Sequence, residues 1–410
     1  MLALHKFLNG LGGTVHGSLF RVADHIDTEK PPGRTSLVEG PDETPFLRRL
    51  LTGAEFVYSP NLTWLALACI MLLVFPYNLQ SSWKESLIER LLINHVIILS
   101  YVGFWHITLY GLGWGKRPLV ANRPYEWSKV LHNAWYTTLG VIQWSFTEAA
   151  FLHCYRTGKL QLSSLDTPQN MFHFFLWCLA VPVIRDIHFY LAHRLIHAQF
   201  LYTFIHGVHH RNTDIEPFSG LCMHPCEHLY YYTCYAPLLL LSHHPFILLW
   251  MGMHTVISPA ASHSGYEDHF SADLYHYCHH RYFECNYAGG IPFDKWFGTF
   301  RDKLGDSDVI PRDVKATLVG WPEYPLFQIL GVGLPIALLI FHEDIPLDSN
   351  SLALFVAFLP VLNAALLYRG NRPMLSPFDK DSLTSQVFHL GGGVLLGVLP
   401  VYYLIAQVLT

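Results

Sequence analysis

The chain has 410 residues, of which 51% are hydrophobic and only 14% charged, and its formal net charge is −5. A soluble domain carries about 25% charged residues, so this composition argues against one and predicts a protein largely sunk in lipid. The chain has no basic arm, which argues against nucleic acid as a partner.

Residues 1–58 read as a polar, interfacial segment. Up to Ile26, Leu, Phe and Val are scattered among His, Lys and Arg, and Gly10, Gly12 and Gly13 weaken any amphipathic helix there. No compact basic-then-apolar signal peptide is present. Residues 27–45, rich in Pro, Gly, Thr and Glu, read as a linker.

Spanning the hydrocarbon needs about 20 mostly apolar residues. Residues 59–184 supply four predicted spans: 60–79, 91–114, 131–153 and 171–184. The third holds Gln143 and Glu148. The fourth is short and is expected to continue as a helix through the first histidine cluster. Arg48 and Arg49 precede the first span, and Lys116, Arg117, Arg123 and Lys129 follow the second. By the positive-inside rule both groups are cytoplasmic, so the chain re-enters the cytoplasm at Arg185 and Arg194. Residues 229–262 are apolar but broken by Pro237 and by His243-His244-Pro245, which predicts a hairpin dipping into the membrane and returning. Residues 324–341, 352–368 and 387–408 are further spans within a C-terminal region, 320–410. Arg369, Arg372 and Lys380 lie between the last two, and Gly391, Gly393 and Gly397 predict close helix packing. The expected fold class is an all-α integral membrane protein: a multi-span helical bundle with a cytoplasmic-side helical histidine-box domain at 185–305.

Sixteen of the 26 histidines lie between His188 and His280. Three clusters dominate: His193 with His197, then His206, His209 and His210, then His276, His279 and His280. On a helix, positions i, i+3 and i+4 share a face, so each cluster is expected to present converging nitrogens. Neutral imidazole is the commonest side-chain metal ligand. Eight box histidines exceed the four ligands one zinc takes and predict two metal ions. His224 and His263 are expected to complete the coordination. Asp186 and Tyr190 continue the stripe of His193 and His197, and Asp186 is placed to accept a hydrogen bond from a ligand imidazole. His188 lies off that stripe. His228, next to Glu227, is a weaker ligand, and His243, His244, His254 and His269 read as structural. Eight scattered cysteines, including Cys222 and Cys226, read as reduced packing thiols.

All-nitrogen sites suit zinc, copper, nickel or iron. On spacing alone a zinc hydrolase or a metal transporter stays open. A site facing lipid points to an apolar substrate, whose oxidation needs a redox metal and dioxygen.

The motif order His193-Arg194-x-x-His197, HxxHH at 206–210, His224-Pro225-x-Glu227, His263-Ser264-Gly265-Tyr266, HxxHH at 276–280 resembles the fatty acid hydroxylase/sterol desaturase superfamily. The resemblance runs from about Asp186 to Arg301 and includes Asn286-Tyr287 and Asp294-Lys-Trp-Phe-Gly298-Thr299. Its middle motifs are similar to the sterol branch: C4-methyl oxidases, C5-desaturases and 25-hydroxylases. The family implies a di-iron centre, dioxygen as co-substrate, and His193, His197, His206, His209, His210, His224, His263, His276, His279 and His280 as metal ligands. Asp186, Tyr190, Glu227 and Asn286 would support them from behind. The implied reaction is hydroxylation or desaturation of a sterol or related isoprenoid. A fatty acyl, sphingolipid, ether-lipid or squalene-like substrate is the alternative. No haem or flavin motif is present, so electrons would come from a b-type cytochrome with its reductase, or from a ferredoxin. The endoplasmic reticulum is the implied location. Two departures are visible: Phe189 stands where C4-methyl oxidases carry a histidine, and Phe293 replaces the usual Trp of the final motif.

Overall fold

The computed structural model describes residues 61–114, 118–120, 126–197, 201–266, 272–283, 285–301, 325–368, 392 and 394–410. The expected segment 1–58 lies outside these residues. So do His269, Gly391, Gly393 and the cations at 48, 49, 116, 117, 123, 369, 372 and 380 on which the expected orientation rested. Among the described residues the secondary structure is helical, with two isolated bridges, Pro118–Tyr266 and Leu162–His243, and no strand.

α1 is Asn61–Val74, shorter than the span expected there. α2, Trp83–His106, begins at a capping box in which Ser82 and Glu85 satisfy each other's backbone N–H groups. It runs on through a π-helical turn, Ile107–Gly111. Its inner stripe carries Ser86, Arg90 and Asn94, all buried. Its outer stripe is apolar, with Ile88, Leu92 and Val96 60%, 65% and 64% exposed. Polar inside and apolar outside is the reverse of a soluble amphipathic helix, and it fits a lipid-facing surface.

α3, Trp127–Arg156, is buried along most of its length. It is a central helix around which others pack, and several of its buried polar groups bond within the protein: Gln143 Nε2 donates to the Pro225 carbonyl at 3.0 Å. Glu148 accepts a hydrogen bond from Asn94 Nδ2 at 2.7 Å and another from the Tyr77 hydroxyl.

α4, Pro168–Ile196, starts on a Thr167 cap with Pro168 in the first turn, and continues unbroken through His193. The expectation that the fourth span extends into the first box holds. Its early turns expose Met171, Phe172, Phe175 and Leu176. Trp83–Gly111 and Pro168–Ile196 are the two helices, among the described residues, long and apolar enough to cross a membrane.

α5 comprises the π-helical turn Tyr202–His206 and Gly207–His210. α6 is Pro225–Tyr232, α7 Ala236–Leu240 and α8 Pro245–Ser262. The chain turns at 241–244 between α7 and α8, and the Tyr231 hydroxyl bonds the Thr255 carbonyl across it at 3.1 Å. Pro237 and Pro245 both sit in first turns, where a helix loses nothing by a missing N–H. α8 is buried almost throughout, against α2, α3 and α4, so its surroundings are protein. It delivers His263 at its end.

α9 is Ala272–Tyr282 and α10 Phe293–Phe297. α11, Pro325–Ile340, α12, Ser349–Tyr368, and α13, Val394–Leu409, form the C-terminal layer. A Cβ on Gly397 would come within 2.5 Å of the Tyr230 ring, which is the close packing expected of that glycine.

Candidate metal centre

The first box hangs from the end of α4, the second from α5, and the third from α9. Nine histidines from these helices and from the end of α8 converge in two groups. His193, His197, His206, His210 and His279 form one; His209, His263, His276 and His280 form the other. All nine are buried.

The boxes do not each serve one group. In both HxxHH motifs the i and i+4 histidines join one group and the i+3 histidine joins the other. The reason is helical pitch: i+4 lies about 40° to one side of i, and i+3 about 60° to the other. α5 therefore gives two ligands to the five-histidine group and one to its neighbour, and α9 does the reverse.

The Nε2 atoms of His197, His210 and His279 form a triangle with edges of 3.2, 3.1 and 3.2 Å, and His206 Nε2 lies 3.1 Å from that of His197. His263, His276 and His280 form a second triangle, with edges of 3.1, 3.2 and 3.1 Å. Outer partners orient several rings. His206 Nδ1–H donates to Glu227 Oε1 at 2.6 Å, His193 Nδ1–H to the Tyr287 carbonyl at 2.9 Å, His279 Nδ1–H to the Cys285 carbonyl at 2.6 Å, and His263 Nδ1–H to the Pro259 carbonyl at 2.8 Å. With the proton on Nδ1, each of these rings turns a bare Nε2 lone pair inward. Burial pushes the imidazoles further toward the neutral form. His263 falls to about 3, and His197, His206, His209, His210, His276, His279 and His280 lie well below their usual value, lowered further by one another.

Inward lone pairs at such spacing repel unless a cation sits among them. Ligand nitrogens at about 2.0–2.1 Å from a tetrahedral or octahedral ion are about 2.9–3.4 Å apart, and the observed 3.1–3.2 Å edges fall in that range. The residues present therefore fit two metal ions.

His224, expected as a ligand, joins neither group. Its Nδ1 accepts the Cys226 N–H at 3.0 Å and caps α6. His188 bonds Thr233 Oγ1 at 3.0 Å, and His228 donates to the Leu221 carbonyl at 2.9 Å. Asp186 does not touch an imidazole: Oδ2 accepts the N–H groups of Gly290 and Ile291 at 2.9 and 3.0 Å. Tyr190 accepts from Arg194 at 2.5 Å and stacks on Phe293. Asn286 bonds the carbonyls of Tyr275 and Arg301, at 2.9 and 2.6 Å. Of the four expected supports, Glu227 alone bonds a gathered imidazole directly. The eight cysteines are unpaired with one another, and Cys222 lies 3.8 Å from His132.

Sequence reading missed a second polar layer behind α5. Glu216 is buried, its Oε2 2.8 Å from His106 Nδ1 and its Oε1 2.7 Å from Asn133 Nδ2. Asn133 also bonds Asn212, whose Nδ2 donates to the His209 carbonyl at 3.3 Å. These residues sit far apart in sequence, on two helices and a loop, and no spacing rule links them.

Residues 178–299 match the family model for fatty acid hydroxylase. This segment belongs to the fatty acid hydroxylase/sterol desaturase superfamily. The fatty acid hydroxylase domain thus holds all nine gathered histidines. The chain is 34% identical over 134 residues to fatty acid hydroxylase domain-containing protein 2 of Macaca fascicularis, covering 31% of this chain and 40% of that protein. It is 30% identical over 149 residues to very-long-chain aldehyde decarbonylase GL1-11 of Oryza sativa subsp. indica, covering 32% and 55%. It is 31% identical over 134 residues to methylsterol monooxygenase 1 of Rattus norvegicus, covering 30% and 45%. The chain spans about half the length of these curated relatives. No solved structure matches it.

Proposed function

We propose that this chain is a membrane-embedded, dioxygen-dependent oxidoreductase that hydroxylates or desaturates a lipid at a di-iron centre. The observation that carries this reading is the division of nine buried imidazoles into two groups whose ligand atoms lie within 4.8 Å of one another, seven of them with Nε2 atoms 3.1–3.2 Å from a neighbour. His193, His197, His206, His210 and His279 would hold one iron, and His209, His263, His276 and His280 the other. Imidazole-only sites suit zinc as well as iron; the similarity to methylsterol monooxygenase 1 supports the redox metal. Iron, when bound, supplies electrons to dioxygen and the oxidising power that an unactivated C–H bond requires.

The protein's own groups do the remaining work. Outer carbonyls and Glu227 hold the rings in one tautomer, so the donors need not reorganise. Burial keeps water from the donor set, which strengthens every electrostatic contact inside it. α4 also exposes the apolar Ile187 and Leu191 within two turns of His193, so an apolar substrate in the surrounding lipid would meet the helix beside the donors.

A sterol or related isoprenoid is the proposed substrate, supported by the methylsterol monooxygenase similarity. The aldehyde decarbonylase similarity favours a long-chain substrate as the second reading. Electrons would come from a b-type cytochrome with its reductase or from a ferredoxin. The proposed setting is the endoplasmic reticulum, with the centre facing the cytoplasm. The test is lipid profiling of membranes with and without the chain, together with metal analysis and reductant-driven oxygen uptake of the purified protein. Two irons per chain and an oxygen-dependent change in one lipid are expected. Tightly bound zinc with no oxygen uptake would overturn the reading.

A further inference from the structure

The loop 285–291, between the third box and α10, supplies a backbone carbonyl to two ligands of the same group. Cys285 takes the His279 Nδ1–H and Tyr287 takes the His193 Nδ1–H. The residue between them, Asn286, has φ +53°, a left-handed conformation that Asn tolerates better than most side chains. That conformation turns the chain so that both flanking carbonyls meet imidazoles.

The loop does not hold this shape by itself. Asp294, 4% exposed, accepts the Tyr287 N–H on Oδ1 at 3.0 Å and the Ala288 N–H on Oδ2 at 2.7 Å. Thr299 closes the clamp from the other side. Its hydroxyl donates to Asp294 Oδ1 at 2.6 Å, its N–H donates to the Asp294 carbonyl at 2.8 Å, and its own carbonyl accepts the Asn286 N–H at 3.0 Å. Gly298, at φ +71°, ends α10 and turns Thr299 back to make these bonds. Asn286 Oδ1 then takes the Arg301 N–H at 2.8 Å. The run from Asp294 to Thr299 is thus a brace for the loop.

We infer that Asp294, with Asn286 and Thr299, is a positioning residue: by clamping the loop it places the protons on His193 and His279, and so governs metal binding by the five-histidine group and not by the four-histidine group. Among the described residues, the outer partners of the four-histidine group lie elsewhere: His263 donates to Pro259 and His209 reaches Cys222. The inference rests on the metal-centre reading above.

The experiment uses the full chain, purified, stripped of metal and titrated with Co(II), whose bands report imidazole ligation. Wild type is expected to take two equivalents. Asp294→Ala should keep one tight equivalent and bind the other about 10- to 100-fold more weakly, the usual cost of losing an outer partner. His263→Ala should weaken the other equivalent, and the double variant both. Asn286→Gly, which keeps the left-handed backbone, should bind the weakened equivalent more tightly than Asn286→Ala. If Asp294→Ala does not fold, the near-isosteric Asp294→Asn carries the same test, because its NH2 leaves one backbone N–H without an acceptor. Wild-type affinity at both sites in a folded Asp294 variant overturns the inference alone, as does equal weakening of both. A wild-type chain that takes up no metal overturns the metal-centre reading and this inference together.

Discussion

The two histidine groups look alike by composition but are held differently. In the four-histidine group the bonded outer partners are near in sequence: His263 donates to Pro259, four residues back, and His209 reaches Cys222 at 3.4 Å. In the five-histidine group His279 donates to Cys285, six residues on, but two partners are more distant: Glu227, 21 residues from His206, and Tyr287, 94 residues from His193. The five-histidine group is also the one with a carboxylate, which strengthens the donor character of His206. The difference teaches that similar donor sets can depend on very different amounts of the fold. The distant one should be the more easily disturbed.

The sharpest test of that contrast removes one ligand from each group. His197→Ala deletes the nitrogen that lies within 3.2 Å of three others in its group, and His263→Ala deletes its counterpart at a triangle vertex. Each is expected to halve the bound metal and reduce oxygen-dependent lipid product to background, measured by metal analysis and lipid mass spectrometry. If either variant keeps full turnover, the groups do not act as a pair.

A smaller effect is expected from Glu227→Gln, which keeps the shape and exchanges the carboxyl acceptor behind His206 for a weaker amide oxygen. Metal affinity at the five-histidine group should fall about 10- to 100-fold, with the other group unchanged. Equal loss at both sites would erase the distinction.

Acid should destabilise the metal-free chain through both groups. The folded imidazoles have lowered values, about 3 for His263, against about 6.5 unfolded. Below pH 6.5 the unfolded chain therefore binds more protons, and stability falls as pH falls toward the folded values. The slope should approach about 1.4 kcal/mol per pH unit for each histidine that stays neutral. Thermal melts from pH 7.5 to 5 check this; a flat profile would contradict neutral, buried rings.

The smallest effect belongs to His224→Ala. Losing a helix cap costs about 1 kcal/mol, read as a lower melting temperature, with metal stoichiometry unchanged. A lost metal equivalent would return His224 to the donor set.

Much of the centre was legible because local rules govern it. The continuation of α4 into the first box followed from an unbroken apolar helix leading into His193 and His197. Glu227 was legible because it follows His224-Pro225 on one short helix. Asp186 and Asn286 were expected to back ligand imidazoles; instead Asp186 bonds the loop at 285–291, and Asn286 lies within that loop and bonds Tyr275 and Arg301. The loop's carbonyls were invisible, because backbone acceptors leave no mark on residue identity.

By itself the sequence determined the donor chemistry, the helices that carry it and their apolar or polar faces, since each depends on residue type and on spacing along a helix. Tertiary structure alone decided how five donors separate from four, which histidine only caps a helix, and which carbonyls set the ring protons. Those outcomes depend on distances of about 3 Å between atoms tens of residues apart, and only the packing of α4, α5, α8 and α9 sets them.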